Sequence, residues 1–83
     1  MTTTITGTYY VHESELGDGA TELDARRFAR VARRYFAHLG HEVDVVVGVG
    51  LDDDGLTEIG NRAFDAWCTE SCDVVATCVR LGC

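Results

Sequence analysis

The sequence predicts a small mixed fold, either α/β or α+β, in which two helices cover one face of a sheet of three or four strands. The chain has 83 residues, 46% of them hydrophobic and 25% charged, which is enough for one compact domain over 1–83. Segments whose apolar residues alternate are separated by segments with helical spacing, which gives the order β-α-β-α-β. These elements predict a two-layer sandwich, and a ferredoxin-like arrangement with an extra hairpin strand is the alternative.

Residues 3–12 are predicted as the first strand, because apolar and polar positions alternate there. One face carries Ile5, Tyr9 and Val11, and the other carries mainly threonines. The strand should therefore be half-buried, with a polar face open to water or to a partner. Residues 13–20 contain two glycines and three carboxylates, which is typical of a solvated loop.

A first helix is predicted over about 22–39, between two capping signals. Thr21 suits the N-cap of an acidic first turn, and Gly40 suits a left-handed C-terminal cap. Between them, apolar residues recur at helical spacing and form one stripe: Phe28, Val31, Ala32, Tyr35 and Leu39. The opposite face carries five arginines: Arg26, Arg27, Arg30, Arg33 and Arg34. We expect this helix to pack on the sheet with its arginines in water.

Two further strands and a second helix follow. Residues 42–49 alternate valines with more polar positions, which favours a second strand. A second helix begins between Leu56 and Glu58 and ends near Cys68. Its buried stripe consists of Ile59, Ala63, Phe64 and Trp67. Residues 73–81 are apolar at both alternating sets of positions, which predicts a final strand covered on both faces.

Two acidic loops are expected to meet at one edge of the sheet. A helix joins the first two strands, so they should run parallel, and the loops that follow them should leave from the same edge. Open α/β sheets bind ligands at that edge. Both loops, 13–20 and 50–55, are rich in carboxylates. The six candidate binding residues are Glu13, Glu15, Asp18, Asp52, Asp53 and Asp54.

The charge balance excludes several classes of partner. The chain has 7 arginines, no lysine and 14 acidic residues, and its formal net charge is −7. This charge repels nucleic-acid phosphates and anionic membranes, so direct binding to either is not expected. The sequence lacks a signal-peptide pattern and an apolar run of the ~18 residues that span a membrane, which predicts a cytoplasmic protein. A charged partner should therefore be basic.

No residue pattern predicts catalysis or a cofactor. Residues 52–55 lack the glycine and glutamate spacing of a calcium loop, and the histidines flank predicted strand and helix ends. There is no phosphate-binding glycine loop followed by lysine and no lysine for a Schiff base. Cys68, Cys72, Cys78 and Cys83 lack the paired spacing of strong zinc sites, and they are interpreted as reduced thiols, with a disulfide or a metal as alternatives. We expect a non-enzymatic protein without a metal or cofactor.

A small, acidic chain that lacks proline, lysine and a catalytic motif resembles the phage-encoded inhibitors called anti-CRISPR proteins. The resemblance is one of size, charge and architecture over the whole chain, and it transfers no functional residue. It implies that an acidic surface occupies a basic nucleic-acid-binding face of a protein partner, such as a CRISPR-Cas effector complex. The alternative is a small regulatory or metal-binding domain that uses the acidic edge or the C-terminal cysteines.

Overall fold

The computed structural model describes residues 4–83, which form two strands and three helices. Their order is β1 (Thr6–Val11), α1 (Glu22–His38), β2 (Glu42–Val47), α2 (Leu56–Thr69) and α3 (Val74–Leu81). A short 3-10 turn, Glu13–Glu15, lies between β1 and α1. The predicted mixture of strands and helices is therefore present, although the predicted start of the first strand, Thr3, lies outside the described residues. Within that part of the chain, no helix is long and apolar enough to cross a membrane.

α1 forms where the sequence predicts it, and both predicted caps are present. The Thr21 hydroxyl accepts a hydrogen bond from the Asp24 amide, and the Asp24 carboxylate accepts one from the Thr21 amide. This capping box closes the first turn of the helix. At the other end, residues 36–41 form a Schellman motif in which Gly40 supplies the required positive φ of 81°.

β1 and β2 pair in parallel, as the helical crossover predicts. The register places Thr6 opposite Glu42, and both side chains are exposed on the outer face of the sheet. On the inner face, the Tyr9 ring packs edge-on against Phe36 of α1, with the ring centroids 5.4 Å apart, and its hydroxyl lies against Gly60 of α2. Both helices therefore cover the inner face. The outer face is open at Thr6, whereas Thr8 and Tyr10 are half-buried, so the expectation of an open, threonine-rich outer face is confirmed in part.

The core lies between the inner face of the sheet and the helices. The Phe28 ring contacts the rings of Phe64 and Trp67, with centroids 5.8 Å and 5.7 Å away. Of the residues that the pattern places in the core, most are buried: Tyr9, Val11, Phe28, Val31, Tyr35, Val45, Ile59 and Trp67. Five more are half-buried against them: Ile5, Leu39, Val43, Val47 and Phe64. Phe36 and Leu56 are also fully buried, so the core extends beyond the predicted stripes.

The predicted final strand is wrong, because residues 74–81 form the helix α3. The Asp73 side chain caps the first turn by accepting a hydrogen bond from the Ala76 amide over 2.7 Å. Gly82 ends the helix in the left-handed conformation, with φ of 83°. Capping signals at both ends of an eight-residue segment therefore outweigh the preference of its valines for strands.

The side-chain spacing within α3 also fits a helix. Thr77 and Cys78 are buried, and the Thr77 hydroxyl donates to the Asp73 carbonyl one turn earlier. Val75 and Val79, one turn apart, are exposed together on the opposite side. The segment is therefore amphipathic at the helical period, and its apolar character at both alternating sets of positions does not reflect burial on two faces.

Because the predicted third strand is a helix, the topology differs from the predicted one. The sheet described for residues 4–83 has two strands, so neither the predicted sheet of three or four strands nor the ferredoxin-like alternative is present. α3 packs mainly against α1 and α2. Both edges of a two-stranded sheet need another way to satisfy their backbone groups. On the β2 edge, the Arg33 guanidinium donates to the Val45 carbonyl over 2.8 Å.

Candidate protein-binding surface

Charge is segregated between the strands and the helices. Residues 4–20 and 39–55, which contain both strands and the acidic loops, carry eight of the 14 acidic residues and no arginine or lysine. All seven arginines lie on helices: five on α1, one on α2 and one on α3. The strands and their loops therefore form the negative part of the molecule, and we call this part the acidic sheet side.

The loop after β1 presents carboxylates that have no internal role. The His12 ring accepts a hydrogen bond from the Ser14 amide over 3.2 Å and lies 2.7 Å from the Ser14 hydroxyl, which fixes the start of the 3-10 turn. Glu15 and Asp18 are exposed, and Glu13 is half-exposed. Within residues 4–83, the carboxylates of these three residues form neither a hydrogen bond nor an ion pair. They are free to meet a partner.

The second acidic loop does not remain at the carboxyl end of β2. It turns back along the free edge of β1, where the Asp52 carboxylate accepts a hydrogen bond from the Tyr10 amide over 2.6 Å. The Asp53 carboxylate accepts one from the Thr8 amide over 2.7 Å, and the Asp53 amide donates to the Thr8 carbonyl over 3.2 Å. These carboxylates accept the hydrogen bonds that a neighbouring strand would otherwise accept, so they cover the free edge of β1.

Two glycines make this return path possible. A Cβ atom on Gly7 would lie 2.6 Å from the Asp53 carboxylate, so the loop can close on β1 only because Gly7 has no side chain. A Cβ atom on Gly50 would lie 2.6 Å from the ring of Tyr10, so the loop backbone lies directly against that ring. Close backbone approach therefore decides where the loop runs.

The six predicted binding residues meet only in part. Asp52 and Glu15 both act on Tyr9, whose pKa is raised to about 12, chiefly by burial and then by the charges of Asp52 and Glu15. Asp53 lies further back, beside Gly7 near the start of β1, and its neighbour Asp54 is exposed. The expectation that all six carboxylates converge at the carboxyl ends of the strands is therefore wrong for Asp53, whose carboxylate lies beside Gly7 and Thr8.

The outer face of the sheet adds acidic residues that the sequence analysis did not assign to the site. Glu42 and Asp44 lie opposite Thr6 and Thr8 in the register, and both carboxylates are exposed. The alternation of polar and apolar residues in β2 was the available signal, because it places Asp44 on the polar face. The acidic sheet side therefore extends from the loops across the uncovered sheet.

Exposed apolar residues lie beside these carboxylates. Val49 and Leu51, which link β2 to the second acidic loop, are 83% and 93% exposed, and Val46 on the outer sheet face is 42% exposed. Interfaces between proteins commonly combine apolar contacts with a charged rim. The combination of carboxylates and exposed aliphatic side chains therefore fits a protein partner better than a free metal ion.

The arginines of α1 form a separate surface. Arg26 pairs with Glu22 one turn earlier over 3.1 Å, and Arg33 is held at the β2 edge. Arg27, Arg30 and Arg34 are exposed, and no ion pair involves them in the described part of the chain. The predicted basic helix face is confirmed as exposed, and it carries the opposite charge to the acidic sheet side.

Ligand pockets and metal sites are the other candidate sites for chemistry. Three surface pockets have volumes of about 90, 240 and 180 Å³, below the roughly 300–1,000 Å³ of ligand sites. Among residues 4–83, no group of three histidine, cysteine or acidic side chains is placed to hold a metal ion. The His41 ring accepts a hydrogen bond from the Ile5 amide over 3.0 Å, so this histidine fixes the start of β1.

The cysteines are all free thiols. Cys78 is buried, as predicted, although it lies in a helix; Cys68 and Cys72 are exposed, and Cys83 is half-buried.

Comparison with protein families, with curated proteins and with solved structures finds no match for this chain.

Proposed function

We propose that this protein is a non-enzymatic binding protein whose acidic sheet side engages a basic, nucleic-acid-binding face of a protein partner. The observation that carries the proposal is the segregation of charge: eight carboxylates and no arginine or lysine on the strands and loops. A surface of one sign attracts a surface of the opposite sign over distances of a Debye length, about 8 to 10 Å at physiological ionic strength. Such a surface favours a basic partner and repels the nucleic acid that competes for it.

The contact residues are the carboxylates that the fold leaves free. The carboxylates of Glu13, Glu15, Asp18 and Asp54 accept no hydrogen bond within residues 4–83, so their charge is available to a partner. Asp52 and Asp53 also contribute negative charge, but their carboxylates accept backbone hydrogen bonds of β1. All six candidate residues therefore remain in the proposed surface, with the first four as direct contacts.

The partner class follows from the resemblance in size and charge to anti-CRISPR inhibitors. A nucleic-acid-guided effector holds its guide–target duplex in a positively charged channel, which an acidic protein can occupy in place of the nucleic acid. In this function the protein acts as a nucleic-acid mimic and needs no cofactor.

A competition assay tests the proposal. The protein is mixed with a Cas9-type effector carrying its guide RNA and with the target DNA, and occupancy of the DNA by the effector is measured at low and high salt. The test variant carries Glu13→Arg and Glu15→Arg. The matched control carries Glu58→Arg and Asp65→Arg, which change the net charge by the same amount on exposed positions of α2.

We expect the parent and the control to lower occupancy to within about twofold of each other, and the loop variant to require roughly tenfold more protein. Inhibition by the parent should weaken as salt rises. Equal inhibition by the loop variant and the parent at low salt would rule out the first acidic loop as the contact. The threonine-rich face of β1 or the arginine face of α1 would then be the surface to examine.

A further inference from the structure

The end of α3 brings two cysteines together. The Cys83 amide donates to the Cys78 carbonyl over 2.9 Å, and the Gly82 amide donates to the Val79 carbonyl over 3.2 Å. These two bonds define a Schellman motif, which Gly82 permits with its positive φ. In this motif, the side chains of the two residues joined by the longer-range bond frequently lie against each other. Cys78 and Cys83 occupy those two positions.

The two thiols differ in access to solvent. Cys83 packs against the core cluster that contains Cys78. Cys78 is 4% exposed, whereas Cys83 is half-buried. Burial and the neighbouring Cys78 raise the pKa of the Cys83 thiol, and Arg34 of α1 acts in the opposite direction. A small reagent can therefore reach Cys83 first, with Cys78 immediately behind it.

The end of α2 has the same backbone motif without the same pair. There the Cys72 amide donates to the Trp67 carbonyl over 2.9 Å, and the Ser71 amide donates to the Cys68 carbonyl over 3.3 Å. The residue set opposite Cys72 in the motif is therefore Trp67, and Cys68 occupies the next position along the helix. Both of these cysteines are exposed. The two cysteine pairs therefore differ: Cys78 and Cys83 occupy the positions joined by the longer-range bond of the motif, and Cys68 and Cys72 do not.

We propose that Cys78 and Cys83 are an oxidation site, which a low-molecular-weight disulfide such as glutathione disulfide converts into an intramolecular disulfide. In the first step the Cys83 sulfur, having lost its proton, attacks one sulfur of the glutathione disulfide. The S–S bond of the reagent breaks, a Cys83–glutathione bond forms, and one glutathione leaves and takes up a proton.

In the second step the deprotonated Cys78 sulfur attacks the Cys83 sulfur, and the second glutathione leaves and takes up a proton. Two protein thiols are oxidised, and one glutathione disulfide is reduced to two glutathione molecules. The new bond closes a six-residue turn, which ties the last turn of α3 to the residue beyond its cap. Because α3 packs on both α1 and α2, the bond fixes the end of the helix layer.

The test is oxidation of the reduced 83-residue chain by glutathione disulfide at about pH 8, followed by blocking of the remaining thiols and peptide mapping without reduction. We expect the map to contain a species in which a disulfide joins Cys78 to Cys83. This disulfide should form at a rate that does not depend on protein concentration. A predominant Cys68–Cys72 bond, a cross-linked dimer, or four thiols that all remain free would overturn the proposal.

Variants provide the matched comparison. Cys83→Ser should lower the yield of the intramolecular disulfide by at least roughly tenfold, while the Cys68→Ser, Cys72→Ser double variant should keep the parent yield within about twofold. Because Cys78 is buried, Cys83→Ser is the safer of the two single changes for the fold. Unchanged circular dichroism of reduced Cys83→Ser establishes that a lost disulfide does not reflect unfolding, and an undiminished yield in this variant would contradict the assignment.

Discussion

The two acidic loops have similar composition and different roles. The loop at 13–20 projects its carboxylates into solvent from a turn that His12 and two glycines shape. The loop at 50–55 lies along β1 and uses Asp52 and Asp53 to accept its backbone hydrogen bonds. The first loop can lose its charges without loss of internal contacts, whereas the second loop cannot.

A run of carboxylates is therefore not by itself a binding surface. A two-stranded sheet exposes backbone donors along its edges, and a carboxylate is a strong acceptor for them. A carboxylate that lies close to a free strand edge accepts backbone hydrogen bonds and stabilises the fold. A carboxylate that lies in solvent remains available to a partner.

The largest effect should come from removing the carboxylates that cover β1. The double change Asp52→Ala and Asp53→Ala should lower the free energy of unfolding by roughly 1 to 4 kcal/mol, because the amides of Thr8 and Tyr10 lose their acceptors. Urea unfolding followed by circular dichroism measures this. Asp54→Ala, at an exposed neighbouring position, is the control and should change stability little. Equal midpoints for the double variant and the parent would show that the edge contacts contribute nothing.

A change in β1 should displace the same loop without altering any charge. Gly7→Ala places a Cβ atom 2.6 Å from the Asp53 carboxylate, so either the loop or the strand must move. We expect a loss of about 1 to 3 kcal/mol in unfolding free energy. Gly48→Ala is the control, because a Cβ atom there meets nothing within 4 Å. If both variants unfold at the parent midpoint, the second loop is not held against β1 as described.

The pH dependence of stability should report the burial of Tyr9, to which the charges of both loops add. Tyr9 has a pKa of about 12 in the folded protein against 10.0 as its ordinary value, so the folded state holds the proton more tightly. Stability from this group is therefore fully present below pH 10 and is lost as pH rises towards 12. Unfolding measured across this range should show a steeper decline in the parent than in Tyr9→Phe, because the raised pKa values of Cys68 and Cys83 affect both proteins.

The same titration compares the loops directly. Asp52 is a larger cause of the raised Tyr9 pKa than Glu15, so Asp52→Asn should lower that pKa more than Glu15→Gln. Ultraviolet absorbance of the ionised phenol gives the value, with Tyr9→Phe as the blank. The opposite order would place the first loop, and not the second, closer to the buried hydroxyl.

The smallest effect on stability should come from the first loop. The double change Glu13→Gln and Glu15→Gln should alter the free energy of unfolding by less than about 0.5 kcal/mol, because within residues 4–83 neither carboxylate has an internal partner. The same variant should associate more slowly with the basic partner at low salt. Thermal unfolding and stopped-flow association measure the two quantities separately. A clearly destabilised variant would mean that this loop, too, has a structural role.

The sequence predicted four of the five elements within a few residues, because each carried consistent local signals. α1 combined an N-cap, a single apolar stripe and a C-terminal glycine, and the structure has all three. α3 was missed because its valines indicated a strand while Asp73 and Gly82 indicated helix caps. In so short a segment the β preference of valine is decided by tertiary context, and no neighbouring strand was present to pair with it.

The sequence predicted the acidic residues of the candidate site but not the course of the second acidic loop. The sequence identified both acidic loops and the parallel strands that they follow. The return of the second loop along β1 depends on close approaches at Gly7 and Gly50, which join residues that are far apart in the chain. Such contacts have no local signature. The alternation of β2 places Glu42 and Asp44 on the open face of the sheet, but the predicted site was confined to the two loops.

The parallel register also constrains the order of folding. Every pair from Thr6 with Glu42 to Val11 with Val47 joins residues the same distance apart in the chain, and the nearby contact of Ile5 with His41 spans 36 residues. In a hairpin, strand pairing can begin with residues beside the turn, which are close in sequence. These parallel strands contain no such short-range pair. α1 must shorten the path between them first. Destabilising its cap at Thr21 should therefore slow folding, whereas destabilising α3 at Asp73 should mainly speed unfolding.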